Sequence, residues 1–419
     1  MKKILILSTI LFAGFSLSAQ TTREDMAADL NKTGGVYYAY PTTVADNTPA
    51  PKGYKPFHVS HYGRHGSRYL ISDNDYLRVS RLVNKADSMG ALTALGKDLK
   101  NRVDSLLVEA SGRGGDLSPL GRRQHRSIAN HLITNYPEVF TAKSSITARS
   151  TLVPRCILSM ASFCESLKEV NPKLTIDMES SNRYMNYLCH STSESDSFNG
   201  KNGWWNEVYR KFKEKNTNSD RLVNSIFRKE FIEKYVNPDD FMWDIYWLAS
   251  DAQNTEEKID FYDLFTADGV IDLWQCFNAS FYARHSNYEP AEGKHLNNAR
   301  NLLNNIIVTA DEAIISNEPS AALRFGHDGN IVPLAALMHI ENCDSMMSNK
   351  DEFYKGWCDW YVAPMGANIQ LILFRNAKDK TAPVLVKILH NEKEVHIPVA
   401  TDNWPYYKWE DVKNFYQEN

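Results

Sequence analysis

The chain has 419 residues, of which 43% are hydrophobic and 23% are charged, a composition that argues against a disordered, collagen-like or coiled-coil chain and is typical of a folded soluble protein. Its length allows two or three packed units, or one α/β domain with a large insertion. With 47 basic and 51 acidic residues the formal net charge is −4, so the overall charge predicts no binding to nucleic acid or to an acidic membrane. An anion site would have to be a local cluster of cations.

Residues 1–19 have the pattern of a secretory signal peptide. Two lysines precede an apolar run from Ile4 to Leu17, and the small residues Ser18 and Ala19 follow it as a cleavage site. The apolar run is shorter than the ~20 residues of a membrane-spanning helix. The sequence therefore predicts a periplasmic or secreted protein that keeps no stable membrane anchor after cleavage.

All six cysteines lie in the predicted exported part, where an oxidising environment permits disulfides. The sequence does not fix their pairing, and Cys343 with Cys358 is the first pair that we expect. Burial as small hydrophobic residues is an equal alternative for Cys156 and Cys164.

The first half of the chain predicts alternating strands and helices. A strand over Phe57–Tyr62 is expected to stop at Gly63. Ser118 is a good helix cap, and the proline after it suits the first helical position of a helix that continues through Leu132. A short strand at Ser145–Ala148 is followed by helical spacing from Val153 to Leu167.

The middle of the chain differs from its ends. Residues 180–315 are rich in Trp, Tyr, Lys and Asn and have helical periodicity, whereas strand-like segments return at Ala321–Phe325, Gln370–Phe374 and Val384–Leu389. We therefore expect an α/β fold with a central mixed sheet flanked by helices and an inserted, mainly helical subdomain. The expected division is an α/β core of residues 20–179 and 316–419 and an insertion of residues 180–315.

The segment Gly63-Arg64-His65-Gly66-Ser67-Arg68 directly follows the first predicted strand. Open α/β sheets bind ligands at the carboxyl ends of their strands. The planar fork of arginine matches phosphate oxygens, and Gly66 lets the backbone approach a ligand closely. Taken alone, the segment is better explained as an arginine-rich surface turn.

Three further segments favour a phosphate pocket over a surface turn. Arg149 and Arg155 lie in the segment between the strand that ends at Ala148 and the next helix. His327 and Asp328 follow the strand at Ala321–Phe325. The third segment is the capped helix start at Leu117–Gly121.

The chain after His327-Asp328 predicts another helix. Asn330 can cap a helix over Ile331–Met338, in which Pro333 would lie in the first turn, where a missing N–H costs nothing. Together the segments provide a nucleophile, several cations and a carboxylic acid at strand-to-helix junctions.

This set resembles the histidine acid phosphatase family, branch 2 of the histidine phosphatase superfamily, which includes phytases, glucose-1-phosphatases and multiple inositol polyphosphate phosphatases. The resemblance spans roughly residues 55–390. Of the family motif R-H-G-x-R-x-P, residues Arg64, His65, Gly66 and Arg68 match, and Leu70 replaces the proline.

The resemblance implies a role for each matched residue. His65 would attack phosphorus and form a phosphohistidine, and Asp328 would protonate the leaving group and later activate water. The side chains that would hold the phosphate oxygens are Arg64, Arg68, Arg155 and His327. The reaction needs no cofactor or metal, and because Asp328 must be protonated we expect an acidic pH optimum.

The expected substrate is a phosphomonoester, and an inositol polyphosphate such as phytate is the first choice. The strings Arg64–Tyr69 and Pro364–Arg375 look most like the inositol polyphosphate phosphatases, although those proteins typically have H-A-E where this chain has His327-Asp328-Gly329. Phytate would require further cations around the site, for which the sequence offers Arg78, Arg81, Arg183 and Lys201.

Other interpretations remain open. A broad-specificity sugar-phosphate phosphatase like glucose-1-phosphatase would need fewer cations, and a non-catalytic phosphate-binding protein could use the same arginines. A phosphoglycerate mutase is disfavoured by the predicted export. A metal site at His58, His61 and His65 is disfavoured because His58 would point to the opposite face of the strand. The remaining histidines, His190 and His285 among them, are expected to be structural or surface residues, and no oligomeric state is indicated.

Overall fold

The computed structural model describes residues 21–41, 47–200 and 203–418. The predicted signal peptide at residues 1–19 and the candidate cation Lys201 lie outside these ranges. None of the helices in the described ranges is both long enough and apolar enough to cross a membrane.

One mixed sheet forms the centre of the fold, with strand order β3-β2-β4-β1-β5-β6-β7, and β8 pairs with β6. The neighbours β3, β2, β4 and β1 run parallel, whereas β5 to β8 are added in antiparallel orientation. The strands within the described ranges are β1 (Tyr54–Arg64), β2 (Ser145–Ser150), β3 (Thr175–Ser180), β4 (Ala321–Gly326), β5 (Asn368–Asn376), β6 (Leu385–His390), β7 (Lys393–Glu394) and β8 (Tyr406–Lys408). The sheet confirms the predicted fold class.

Helices cover both faces of the sheet, and residues 185–316 contain helices but no strand in their described part. The α-helices are α1 (Arg23–Ala28), α2 (Asp73–Ser88), α3 (Ala94–Ala110), α4 (Pro119–Asn135), α5 (Pro154–Val170), α6 (Met185–Leu188), α7 (Ser193–Asn199), α8 (Trp205–Asn216), α9 (Asp220–Ile226), α10 (Lys229–Tyr235), α11 (Pro238–Ala252), α12 (Ala267–His285), α13 (Asn297–Ser316), α14 (Asp328–Leu337), α15 (Phe353–Gly356), α16 (Asp359–Val362) and α17 (Trp409–Glu418). Short 3₁₀ helices lie at Leu30–Tyr37, Pro137–Val139, Asn182–Tyr184, Tyr262–Leu264, Glu289–Ala291 and Lys350–Glu352.

Alternate residues of the strands face two different cores. On one face, Val59 and Ile372 pack with apolar side chains of α4 and α5. On the other face, Tyr62 and Leu371 join a larger cluster that includes α13 and α14 and continues into the helices of residues 185–316. Because both faces of the central strands are covered, buried residues occupy consecutive positions in β4 and in most of β1.

Strand β1 extends beyond its predicted end at Gly63. Gly63 and Arg64 pair with Phe325 and Gly326 of β4, so the glycine does not stop the strand. Pairing to β4 on one side and β5 on the other outweighs the low strand preference of glycine. The extra residues move Arg64 onto the sheet and leave His65 as the first residue after it.

Helix α14 begins earlier than the sequence pattern predicts. Its first residue is Asp328, and His327 is the capping residue with an extended backbone. Asn330 does not cap the helix, because its side-chain oxygen accepts a hydrogen bond from Tyr62 at 2.9 Å. Pro333 accordingly lies inside the helix and not in its first turn. The earlier start places Asp328 at the positive end of the helix dipole.

The six cysteines form no disulfide, so the expected pairing of Cys343 with Cys358 is wrong. The Cys343 sulfur lies 3.9 Å from Nδ1 of His390, whereas the Cys358 thiol donates to the carbonyl of Tyr354. Five of the six are buried and Cys189 is partly buried, so they behave as small hydrophobic residues.

The buried histidines predict that the fold loses stability in acid. His61 packs between Phe163 and Phe325, and burial lowers the pKa of His61 to about 3 and that of His125 to about 4. In the unfolded chain both rings would take up a proton below about pH 6.5. Because the unfolded state then binds more protons than the folded state, the free energy of unfolding should fall as the pH decreases from 6.5 towards 4.

Thermal midpoints measured across this interval check the prediction. We expect the midpoint to fall with decreasing pH and to fall less in His61→Leu, which has no ring to protonate. A midpoint that stays constant or rises towards pH 4 in the unsubstituted protein would contradict it.

Candidate active site

The candidate site lies where the carboxyl ends of β1, β4 and β2 meet. Arg64 at the end of β1 is in register with Gly326 of β4, and Ser150 at the end of β2 is in register with Phe325. The backbone N–H of His65 donates to the carbonyl of Gly326 at 2.9 Å, which extends the ladder past the strand. Parallel pairing therefore brings together three segments that are far apart in the sequence.

His65 is 2% exposed, and its two ring nitrogens have different surroundings. Nδ1 lies 2.9 Å from the carbonyl oxygen of Gly66. A carbonyl can only accept, so Nδ1 carries the hydrogen and Nε2 keeps its lone pair. Burial, together with the charges of Arg64, Arg155 and Arg68, lowers the pKa of His65 well below its ordinary value. His65 is therefore a neutral imidazole even in mild acid.

Two arginines of the motif are fixed by backbone carbonyls. Nη1 of Arg64 donates to the carbonyls of Val36 and Ala363 at 2.6 and 2.7 Å. Nη1 of Arg68 donates to the carbonyl of Tyr69 at 2.8 Å, and its Nη2 donates to the Tyr37 hydroxyl at 3.2 Å. Fixed guanidiniums lose little entropy when they bind an anion.

The three arginines also have buried N–H donors that no residue in the described part of the chain accepts from. The Nε groups of Arg64, Arg68 and Arg155 are all buried, and none of them has an acceptor among the described residues. A buried donor without a partner costs about 1–3 kcal/mol. Three such donors on three neighbouring guanidiniums indicate a site built to receive an anion with several oxygens.

His327 lies across the site from His65, with 5.7 Å between the two ring centroids. Its Nε2 is 3.2 Å from the hydroxyl of Thr151, the residue that follows β2. The ring of His190 is 4.7 Å away on another side. Burial and His190 lower the pKa of His327 to about 3, so this ring too is neutral.

Asp328 is paired with a cation in the structure. One carboxylate oxygen lies 2.7 Å from Nη2 of Arg64, and the other accepts from the backbone N–H of Gly329 at 2.8 Å. Burial by itself would raise the pKa of Asp328, but Arg64, His285 and His327 hold it below its ordinary value. The carboxyl group is therefore ionised until a second negative charge enters the site.

The helix start at Ser118 supports the motif loop and contributes no catalytic group. The backbone N–H and the hydroxyl of Ser118 both donate to the carbonyl of Ser67. Gln124 of α4 accepts from the N–H of Ser67 and donates to its hydroxyl. Gly66 and Gly121 allow the loop and α4 to touch, since a Cβ on Gly121 would lie 2.2 Å from the Ser67 carbonyl oxygen.

Leu70 stands where the family motif has proline, and it has a backbone N–H that proline lacks. Its backbone N–H donates to the Tyr76 hydroxyl at 2.8 Å, and that hydroxyl donates to the buried carboxyl group of Asp251 at 2.5 Å. Burial raises the pKa of Asp251 to about 7. The chain after Arg68 is thus held by hydrogen bonds instead of by a proline ring.

The structure brings the six predicted site residues together, but not every cation that the sequence suggested. Arg149 turns away from the site and binds Asp177. Of the candidate cations for phytate, Arg78 pairs with Asp75 and Asp244. The other described candidates also have partners: Arg81 donates to Asn74, and Arg183 pairs with Glu179.

Four residues around the site were missed from the sequence. His190 lowers the pKa of His327, and His285 lowers that of Asp328. Thr151 contacts His327, and Tyr37 contacts Arg68. None of the four belongs to a recognisable motif. Within residues 21–41, 47–200 and 203–418, no three His, Cys, Asp or Glu side chains are arranged to hold a metal ion.

Comparisons with known proteins identify the family to which these features correspond. The family model described as histidine phosphatase superfamily (branch 2) matches residues 63–391. A search of curated proteins finds no significant match.

Solved structures share the fold at low sequence identity. The multiple inositol polyphosphate phosphatase of Bifidobacterium longum, in complex with inositol hexasulfate, has a TM-score of 0.70 and 19% identity over 91% of this chain and 97% of its own. The phytase of D. castellii has a TM-score of 0.71 and 13% identity over 95% and 86%, and that of Hafnia alvei has 0.52 and 11% over 88% and 98%.

Substitution of Gly121 tests whether α4 positions the motif loop. We expect Gly121→Ala to lower stability by roughly 1–3 kcal/mol and to reduce phosphatase activity further than this loss explains, because the new Cβ pushes the Ser67 carbonyl away. Thermal unfolding and kcat/KM measured on the folded protein check both effects. Arg122→Ala, an exposed change on the same helix, is the control, and equal activity in the two variants would contradict the prediction.

Proposed function

The chain belongs to branch 2 of the histidine phosphatase superfamily and is a phosphatase, and we propose that it hydrolyses phosphomonoesters through a phosphohistidine on His65. One observation carries the proposal: the neutral imidazole of His65 is surrounded by three arginines whose buried Nε donors have no acceptor among the described residues. An imidazole with a free Nε2 is a nucleophile, and the free donors suit the oxygens of a phosphoryl group.

In the first step Nε2 of His65 attacks phosphorus while the bond from phosphorus to the ester oxygen breaks. Arg64, Arg68, Arg155 and His327 bind the non-bridging oxygens and stabilise the charge that spreads over them. The N-terminus of α14 lies at His327 and Asp328, and its dipole adds positive potential there.

Asp328 acts as the general acid and later as the general base. It is ionised beside Arg64 in the structure, so it must gain a proton when the substrate binds. The negative charge of the phosphate raises the pKa of Asp328 and competes for Arg64. The proton then passes to the leaving oxygen, and the carboxylate takes a proton from the water that hydrolyses the phosphohistidine. An acidic optimum follows, because a phosphomonoester keeps its second proton only below about pH 6.

A non-catalytic phosphate-binding protein is less well supported. Binding alone requires the arginines, but it requires neither an imidazole kept neutral with a free Nε2 nor a carboxyl group at the start of α14. The family match also favours an enzyme.

For the substrate we propose inositol polyphosphates. The motif strings resemble that branch, and the solved proteins that share this fold include a multiple inositol polyphosphate phosphatase and phytases. A second candidate, a sugar phosphate, is favoured by the partners of Arg78, Arg81 and Arg183, which leave these side chains less available to a highly charged substrate. We also propose that residues 1–19 direct export and that residues 180–315 are an insertion in the α/β core.

Asp328→Asn tests the assignment of the general acid. Phosphorylation of His65 by p-nitrophenyl phosphate should change little, because the leaving phenolate is a weak base that needs no proton. Phosphorylation by an alkyl phosphate should fall by about 10²–10⁴-fold. Single-turnover kinetics with the two substrates check this, and equal losses would remove Asp328 from the role of general acid.

Phosphate release from phytate, 2,3-bisphosphoglycerate and glucose 1-phosphate tests the substrate proposal. We expect the highest kcat/KM with phytate, because any of its several phosphates can bind to the arginines of the site. A value roughly tenfold higher with glucose 1-phosphate would favour the sugar-phosphate candidate.

A further inference from the structure

A segment at the N-terminus of the described chain contributes directly to the site. The 3₁₀ helix Leu30–Tyr37 lies before residue 63, where the family match begins. The carbonyl of Val36 nevertheless accepts from Arg64, and the hydroxyl of Tyr37 accepts from Arg68. The phosphate pocket therefore includes residues that neither the motif nor the family match contains.

This segment is held firmly by the helical part of the chain. The hydroxyl of Tyr246 in α11 donates to the carbonyl of Thr33 at 2.7 Å. The side chain of Asn254, just after α11, donates to the carbonyl of Tyr37 at 2.8 Å. Tyr37 is 9% exposed, and its ring lies 5.9 Å from that of Trp247. Its hydroxyl is thus kept in one position before any ligand binds.

The hydroxyl of Tyr37 accepts one hydrogen bond, and its own hydrogen remains available for donation. It accepts from Nη2 of Arg68 at 3.2 Å, and the Arg68 guanidinium carbon lies 4.7 Å from the centre of the ring. Among the described residues it donates to no acceptor. The carbonyl of the preceding residue, Val36, accepts from Nη1 of Arg64, so this segment contacts both arginines of the motif.

We propose that Tyr37 is a further phosphate-binding residue, whose O–H donates to a non-bridging phosphate oxygen while its lone pair holds Arg68 in place. This inference rests on the proposed phosphate pocket and adds a residue to it. An arginine and a tyrosine that share a hydrogen bond present two donors at a fixed separation, which suits two oxygens of one phosphoryl group.

Tyr37→Phe is the test, because it removes the hydroxyl and keeps the ring against Arg68. Tyr38→Phe is the matched control: Tyr38 is the next residue, and its hydroxyl donates to Asp29 and to no arginine. Inorganic phosphate is the probe, with its Kd measured by calorimetry, its competitive Ki measured in turnover, and the thermal midpoint measured for each variant.

We expect Tyr37→Phe to weaken phosphate binding by about tenfold, the loss typical of one hydrogen bond to a charged group. KM for p-nitrophenyl phosphate should rise by a similar factor and kcat should change less, because the bond forms in the bound substrate as well as in the transition state. Tyr38→Phe should keep the phosphate affinity of the unsubstituted protein.

The phosphate measurement separates this inference from the proposed function. If the unsubstituted protein binds phosphate but releases none from any ester, the proposed function fails, and the Kd of Tyr37→Phe still decides the role of Tyr37. Unchanged phosphate affinity in Tyr37→Phe would overturn the inference. Equal losses of phosphate affinity in Tyr37→Phe and Tyr38→Phe, accompanied by the same fall in thermal midpoint, would also overturn it. Failure of the unsubstituted protein to bind phosphate would do so too.

Discussion

The site depends on the burial of a neutral imidazole among three guanidiniums. Positive charges that lie close together and away from water repel one another, so the arrangement is stable only if other interactions hold each arginine in place. Backbone carbonyls of Val36, Ala363 and Tyr69 do this for Arg64 and Arg68. The same positive field prevents protonation of His65 and keeps Asp328 ionised. In the proposed mechanism the nucleophile, the affinity for an anion and the carboxylate that becomes the general acid all follow from this one electrostatic arrangement.

The rest of the fold serves to assemble this arrangement. Parallel pairing of β1, β4 and β2 brings three distant segments to one edge of the sheet. Helix α4 holds the motif loop through Ser118 and Gln124, and the earlier start of α14 sets Asp328 at a helix N-terminus. His61 and His125 are buried as well, and burial lowers the pKa of both rings. The acidic pH at which we expect the highest activity is therefore also the pH at which we expect the folded protein to be less stable.

Much of the fold could be predicted because short alternating or apolar segments mark the strands and regular apolar spacing marks the helices between them. Local preference predicts a strand end at Gly63 and a helix cap at Asn330, but strand pairing and a side-chain contact that form only in the fold override both preferences. The six proposed site residues could be predicted because the R-H-G-x-R string, Arg155 and the His327-Asp328 pair each follow a predicted strand. Tyr37, Thr151 and His190 could not, since a tyrosine, a threonine and a histidine without a motif become part of a site only through contacts with distant residues.

Trapping of the covalent intermediate tests the central claim most directly. The protein would be mixed with a ³²P-labelled phosphomonoester, quenched in alkali during turnover to preserve phosphohistidine, and digested for peptide mapping, with His65→Ala treated in the same way. We predict label on Nε2 of His65 in the unsubstituted protein and none in the variant. Rapid phosphate release without label on the protein, or label that persists in His65→Ala, would contradict the account.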